Sequence, residues 1–274
     1  MKLLVLPDLQ VKPGVPLVHL NWLGRYIAEK RPDAIVQIGD ALDLPSLSSY
    51  DRGKRSAEGR RLEGDLEAGK LAFDLLTQPY RGLVGYQPLQ IFTEGNHEAR
   101  LYRLLDDQPY LHGQLHYAIQ DIVEARGFEF NPFLEVREVS GVLCSHFFAR
   151  SAQGTVVQTK NGAPSAREMV RREGQSAIAG HRQGIDLAVV QTQSKRMYGV
   201  IAGSCYLHLE NYLGPQGSNH WNGCVMLHEL NASGESNPML ISLEYLCKRY
   251  TGRDLPELLH NGTDLEVLRA PTYD

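Results

Sequence analysis

Residues 34–43 read Ala34-Ile35-Val36-Gln37-Ile38-Gly39-Asp40-Ala41-Leu42-Asp43. The run to Ile38 is apolar, β-branched and short, which suits a buried strand and is too brief for a helix. It stops at a glycine and then a carboxylate, the pattern of a chain leaving a sheet. The same form recurs on both sides. Lys2–Leu6 ends at Pro7-Asp8-Leu9-Gln10, and Pro88–Thr93 ends at Glu94-Gly95-Asn96-His97-Glu98. Between these runs the spacing predicts helices. Pro16–Lys30 carries Leu20, Leu23 and Ile27 on one face and closes at Arg31-Pro32. Residues 51–77 open polar and become helical, with Leu62, Leu66, Phe73 and Leu76 near one face. Residues 98–126 are mostly helical, with a stripe of Leu115, Ala118, Ile119 and Ile122 and a stop at Gly127. The order β-α-β-α-β-α favours a layered α/β structure.

The second half changes character. Gly141–Ser145, Ser176–Ala179, Leu187–Gln191, Tyr198–Ala202, Cys224–His228 and Met239–Leu243 are short β-like runs, interrupted by a helix over Ser165–Arg172. From about Leu246 the signals are weak, and the tail is expected to lie on the surface. No stretch rich in Pro, Gly or Ser divides the chain. One domain over 1–274 is expected, with a mainly helical insertion around 98–126 and a β-rich half from about 140.

The chain has 274 residues, 42% hydrophobic and 22% charged, enough for a substantial core and unlike a disordered or repeat protein. Its first apolar run is too short for a signal peptide, and no stretch approaches a bilayer span, so a cytoplasmic location and no membrane partner are expected. Cys144, Cys205, Cys224 and Cys247 are far apart and form no C-x-x-C pair, so they read as free thiols. With a net charge of −4, no broad constitutive basic surface for coating DNA is evident. This leaves room for a nucleic-acid substrate at a metal centre, where the ion brings its own positive charge.

Five successive strand ends present polar donors: Asp8 with Gln10, Asp40 with Asp43, Asn96 with His97, His146 after Gly141–Ser145, and His181 with Gln183 after Ser176–Ala179. In layered α/β proteins ligands gather beyond the carboxyl ends of strands. Carboxylate, amide oxygen and imidazole are the donors that a hard or borderline dication wants.

In this order the fragments resemble the calcineurin-like metallophosphoesterases, whose pattern is D-x-H, G-D-x-x-D, G-N-H-[DE], a lone His, then G-H-x-H. G-D-x-x-D and G-N-H-E are matched in full, and the resemblance spans about residues 3–183. It implies a four-layer αββα sandwich of two mixed β-sheets flanked by helices. It also implies two divalent ions, Mn²⁺ foremost, with Mg²⁺, Fe²⁺ or Zn²⁺ as alternatives. Asp40 would bridge them. Asp8, Gln10 and Gln183 would face the first, and Asn96, His146 and His181 the second. His97, paired with Asp43, would contact the substrate and protonate the leaving group.

Two histidines of the pattern are replaced, by Gln10 and Gln183, and both belong to the first metal. A neutral amide oxygen is a weaker and harder donor than imidazole, so this site is expected to be the weaker one and to turn from zinc towards manganese or magnesium. The D-x-Q variant looks similar to phage-borne and bacterial phosphoesterases grouped near the DNA-repair exonucleases. The expected reaction is hydrolysis of a phosphate ester by metal-activated water, leaning to a phosphodiester of nucleic acid or nucleotides. A phosphomonoesterase is the alternative, and a catalytically weak scaffold of the same fold is the alternative of another class. Protein partners are not readable.

Around the motifs, Arg100, Arg150 and Arg182 are candidates for a phosphate oxygen. His208 and His220 bracket an aromatic, amide-rich stretch over 204–222, suited either to stacking a base or to packing as a loop. The basic run from Asp51 to Arg61 reads first as a solvated face. His112 and His116 stand at helical spacing, but the Glu of H-E-x-x-H is missing and Gly113 weakens the helix, so a packed or exposed pair is expected.

Overall fold

A computed structural model describes residues 1–148, 163–210 and 220–261, with residues 269 and 272. In chain order the elements are β1 (Leu3–Leu6), α1 (Val18–Lys30), β2 (Ala34–Gln37), α2 (Leu62–Thr77), β3 (Leu89–Thr93), α3 (Arg100–Asp107), α4 (His112–Leu115) and α5 (Ala118–Glu124). Then come β4 (Glu129–Asn131), β5 (Arg137–Val139), β6 (Val142–Cys144), α6 (Ala166–Glu173), β7 (Ser176–Ala179), β8 (Ile185–Gln191), β9 (Arg196–Ala202), β10 (Gly223–His228), β11 (Asn237–Ser242), α7 (Leu243–Thr251) and α8 (Leu255–Asn261).

These strands form two mixed sheets. The first runs β11-β10-β1-β2-β3-β4, with β1 to β4 parallel and β10 and β11 antiparallel. The second runs β5-β6-β7-β9-β8, with β6, β7 and β9 parallel between two antiparallel edges. The near-continuous apolar runs have a plain cause, because both faces of each central strand are covered. Leu4 and Leu6 face a core shared with α1, α2, α5 and α7, while Leu3 and Val5 face one shared with Val142, Ile178 and Val200 of the second sheet. The outer face of the second sheet packs Ala177, Ala179 and Ile201 against Ala166 and Met169 of α6. The protein is thus α/β, two mixed sheets flanked by helices.

The sequence reading needs correction at several places. The helical stretch after β3 is the crossover that leads into β4, a strand parallel to β3. Strands β4 and β5, three residues each, were not anticipated. The tail is not a loose surface segment, since α7 buries Leu243, Leu246 and Cys247. Its first turn is set by Ser242, whose hydroxyl accepts the Tyr245 N–H at 3.1 Å, so the apolar run that looked like strand through Leu243 ends one residue sooner. All four cysteines are free and buried. Among the described residues, no helix is long and apolar enough to cross a membrane.

His19 on α1 carries a testable consequence of this packing. Its Nε2 lies 3.0 Å from the Cys205 carbonyl, which it can only reach as a donor, and its Nδ1 is buried without a partner. Burial pushes its pKa down to about 3. Between pH 6.5 and 3 the unfolded chain therefore holds a proton that the folded chain refuses, and stability falls as pH falls through that window. This one group should remove about 2 kcal/mol between pH 6.5 and 5. In His19→Gln, which keeps a donor for Cys205, urea unfolding at pH 7.5 and 5.0 should show a pH dependence smaller by that amount. Equal dependence in both proteins would refute the assignment.

Candidate metal centre

Parallel pairing brings the five polar turns together. β1 and β2 are in register from Leu3 opposite Ala34, so Asp8 and Asp40 leave the first sheet at the same end. β6 and β7 do the same for His146 and His181 in the second sheet. The two sheets are tied across this end: His146 Nδ1 donates to the Ile38 carbonyl at 2.9 Å, and the His181 N–H donates to Asp8 Oδ1 at 3.1 Å.

At the middle, one donor atom each from Asp40, His146 and His181 lie within 4.8 Å of one another. Asn96 points its amide oxygen into the same space, 3.0 Å from His146 Nε2 and 2.7 Å from His181 Nδ1. Asp40 Oδ2 is 3.2 Å from His146 Nε2. Gln10 reaches Asp40 with its amide nitrogen at 3.5 Å. Asp8 is fully buried, and its Oδ2 has no hydrogen-bond partner.

The electrostatics ask for a cation. Burial, reinforced by repulsion from Asp40, pushes the Asp8 carboxyl up to about 7. Burial acts on Asp40 in the same sense, but His146 and His97 outweigh it and hold its carboxyl well below the usual range. Burial would lower His146, yet Asp40 lifts it to about 9, while His181, buried beside His146, drops to about 4. Two buried carboxylates, one with a bare oxygen, and imidazoles whose free nitrogens converge on a shared amide oxygen fit a divalent ion. Asp40, Asn96, His146 and His181 are the residues able to hold it.

Glycines allow this convergence in two ways: Gly39 takes a left-handed turn with φ of 96°, while Gly95 and Gly180 give close approach. Gly95 and Gly180 do not have positive φ. A Cβ at Gly95 would stand 2.2 Å from the Asp40 amide nitrogen, and one at Gly180 would stand 2.6 Å from Asp8 Oδ1. The polar residues themselves also adopt left-handed backbone: Gln10, Asp40, His181 and Gln183 have φ of 47, 50, 68 and 56°. Such geometry is strained for non-glycine residues and gathers at functional sites. Glu98, fully buried, helps to hold it. Its carboxylate accepts the N–H groups of Asp40 (3.0 Å), Leu42 (2.8 Å) and Gly95 (3.0 Å), stapling two of the polar turns together. The sequence motif contains this glutamate but gave no sign of its role.

His97 stands beside the trio, its Nε2 3.7 Å from Asp40 Oδ2. Its Nδ1 lies 2.8 Å from Asp43 Oδ1. Burial opposes the charged ring, but Asp40 and the Asp43 hydrogen bond overcome it and raise its pKa. Arg100 is not simply poised for a substrate. Its guanidinium donates to the Asp43 carbonyl at 2.5 Å and lies 3.2 Å from His97 Nε2.

Gln183 is buried, and its amide oxygen accepts the Tyr206 hydroxyl at 2.9 Å. His220 Nδ1 is 2.5 Å from the same hydroxyl, and the His208 ring stacks on Tyr206 at 4.6 Å. Thus His208 and His220 lie on the Gln183 side of the centre, behind Tyr206. Arg182 is exposed. Arg150 lies outside the described residues, as does the stretch 211–219. In the basic run, Asp51 pairs with Arg60 at 2.7 Å and Lys54 at 3.8 Å, as in a solvated surface. His112 and His116 stack at 4.3 Å, and the convergent donor trio does not include them.

No family model matches the sequence. The Gene 54 protein of Mycobacterium phage L5 is 30% identical over 190 residues, covering 67% of this chain and 70% of that protein. The chain belongs to the Gene 54 protein family of mycobacteriophages. The Gene 54 protein of Mycobacterium phage D29 is likewise 30% identical, over 192 residues, with 67% and 70% covered. Among solved structures, a conserved uncharacterized protein of Streptococcus pneumoniae TIGR4, described as a predicted phosphoesterase, aligns with 87% of this Gene 54 family member and 97% of its own chain, at 11% identity and a TM-score of 0.32.

Proposed function

We propose that this protein is a metal-dependent phosphoesterase that hydrolyses a phosphodiester, with nucleic acid or nucleotides as the substrate class. One observation carries the reading: Asp40, His146 and His181 converge within 4.8 Å, directly beside a histidine that is itself held by a carboxylate. Asp40, Asn96, His146 and His181 would hold the tighter ion. Asp8, Asp40, Gln10 and Gln183 would hold a weaker one, since the Gln183 amide oxygen is already engaged by Tyr206. Amide and carboxylate donors favour manganese over zinc at that weaker site. Bound ions supply Lewis acidity towards the phosphoryl oxygens and lower the pKa of the attacking water.

The chain's own residues do the rest. Asp43 fixes the His97 tautomer with the proton on Nδ1, which leaves Nε2 to carry the proton destined for the leaving oxygen. Arg100 covers Nε2 in this arrangement. A phosphate oxygen drawing the guanidinium towards itself would uncover that nitrogen and let it charge. Asp40 and the Asp43 hydrogen bond favour the charged form of the His97 ring, against burial and Arg100.

The test compares bis-nitrophenyl phosphate with the nitrophenyl monoester under manganese, magnesium and zinc, alongside metal titration. Manganese-dependent cleavage of the diester, abolished in Asn96→Ala, is expected, with one tight and one weak site per chain. On a dinucleotide, whose leaving alkoxide needs a proton, His97→Ala should lose about 10²-fold in kcat. Cleavage of the monoester alone would replace the reading with a phosphomonoesterase. Folded protein that binds metal but cleaves neither ester would leave a binding scaffold.

A further inference from the structure

Lys12 lies four residues beyond Asp8 and belongs to none of the motifs, yet its ammonium sits among charges that the site needs. Its Nζ donates to Asp43 Oδ2 at 2.9 Å and to Glu210 at 3.0 Å (Oε1) and 2.8 Å (Oε2). The three side chains are 19%, 12% and 6% exposed, so water competes weakly for these bonds. The backbone places Lys12 there without slack. Val11 bridges Leu42, and the Asp43 N–H donates to the Val11 carbonyl at 2.9 Å.

A carboxylate has two oxygens, and here they are divided: Oδ2 goes to Lys12, and Oδ1 to His97 Nδ1 at 2.8 Å with Arg100 Nη1 farther off at 3.4 Å. Fixing the first fixes the plane of the second. Glu210 also accepts His208 Nε2 at 2.7 Å, and the His208 ring stacks on Tyr206, which holds Gln183. We propose that Lys12 is a positioning residue that orients the Asp43–His97 pair for proton delivery and joins it to the 206–210 segment on the Gln183 side. This rests on the reading of His97 as the proton donor to the leaving group.

The experiment uses the full chain loaded with manganese, and the variants Lys12→Met, His97→Ala, their combination, and Glu210→Gln. Each is assayed on a nitrophenyl diester, which expels its leaving group without a proton, and on a dinucleotide, which needs one. Groups that orient an active residue from behind are typically worth roughly 10- to 100-fold. Lys12→Met should therefore lower kcat on the dinucleotide about tenfold or more, with KM within about twofold and the nitrophenyl rate within about threefold. Added to His97→Ala, it should cost nothing further, because its effect passes through that ring. Glu210→Gln, which keeps Lys12, should show the same selective loss and guards against a folding defect in the first variant. Equal losses on both esters, or a loss that multiplies with His97→Ala, would overturn the proposal. A second readout needs no turnover: in protein labelled with ¹⁵N-histidine, the hydrogen-bonded Nδ1–H signal of His97 should shift or broaden in Lys12→Met. If wild type cleaves neither ester, the phosphoesterase reading fails while this signal still decides the positioning role, an unchanged resonance overturning it.

Discussion

Asp40→Asn should abolish ion binding and lower turnover by about three orders of magnitude or more, equivalent to about 4 kcal/mol of transition-state stabilisation. Asp40 occupies the centre of the arrangement. One oxygen accepts the His97 N–H at 2.9 Å, and the other lies 3.2 Å from His146 Nε2 and 3.5 Å from Gln10 Nε2. Asparagine keeps the shape but not the charge, and must turn an NH₂ either at the His97 N–H or into the space where an ion would sit. Asp40 is also the main influence that lifts His146 above its ordinary pKa, and a neighbour that pushes Asp8 up. Without ions the substitution has opposing effects, losing the pairing with His146 and relieving the repulsion with Asp8. Removing one partner of a buried pair costs about 3–5 kcal/mol and the relief at Asp8 offsets part of it, so metal-free stability should fall by about 2–3 kcal/mol. The contrast appears on adding metal. Wild type should gain about 2.7 kcal/mol at an ion concentration a hundred times the Kd, and Asp40→Asn should gain almost nothing. A variant that still holds one ion per chain and still turns over would remove Asp40 from the centre.

Much of this was legible because the signals were local. Each candidate ligand follows its strand directly, so apolar runs that end at Asp8, Asp40, Asn96, His146 and His181 placed the donors before their distances were known. The layered α/β order was readable from apolar runs alternating with helical spacing, whereas the division into two sheets came from the resemblance of the motifs and is seen in the two cores on either face of β1. What stayed hidden depends on long-range contacts or on competing local signals. Lys12 meets Glu210 across 198 residues, and Tyr206 meets Gln183 across 23, with no periodicity to announce either. The helix α7 was masked by the apolar run of β11 that leads into it, and only the Ser242 cap marks the change. The glycine after β2 turns as its position suggests, with φ of 96° at Gly39, but the glycine after β3 serves another purpose. At Gly95 the chain needs closeness rather than a left-handed turn.

That distinction gives the last prediction. Gly95→Ala should lower stability by about 1–3 kcal/mol and weaken ion binding by roughly 10- to 100-fold, even though alanine has no difficulty with the backbone conformation. The added Cβ would meet the Asp40 amide nitrogen at 2.2 Å, Asp40 Oδ1 at 2.3 Å and Glu98 Oε2 at 2.8 Å. The first of these is main chain and cannot swing aside. The strained Asp40 turn is held by its hydrogen bond to Glu98, so relieving the clash pulls Asp40 from the position that brings its carboxylate to His146 and His181. Gly113→Ala is the matched control. It lies in α4 with open space around its Cβ position and no positive φ, so alanine there should be neutral or stabilise by up to about 1 kcal/mol. Urea unfolding and ion titration of the two variants separate the effects. If Gly95→Ala binds ions as tightly as wild type, the approach of the two turns is not what sets the ligand geometry, and Glu98 loses its assigned role with it.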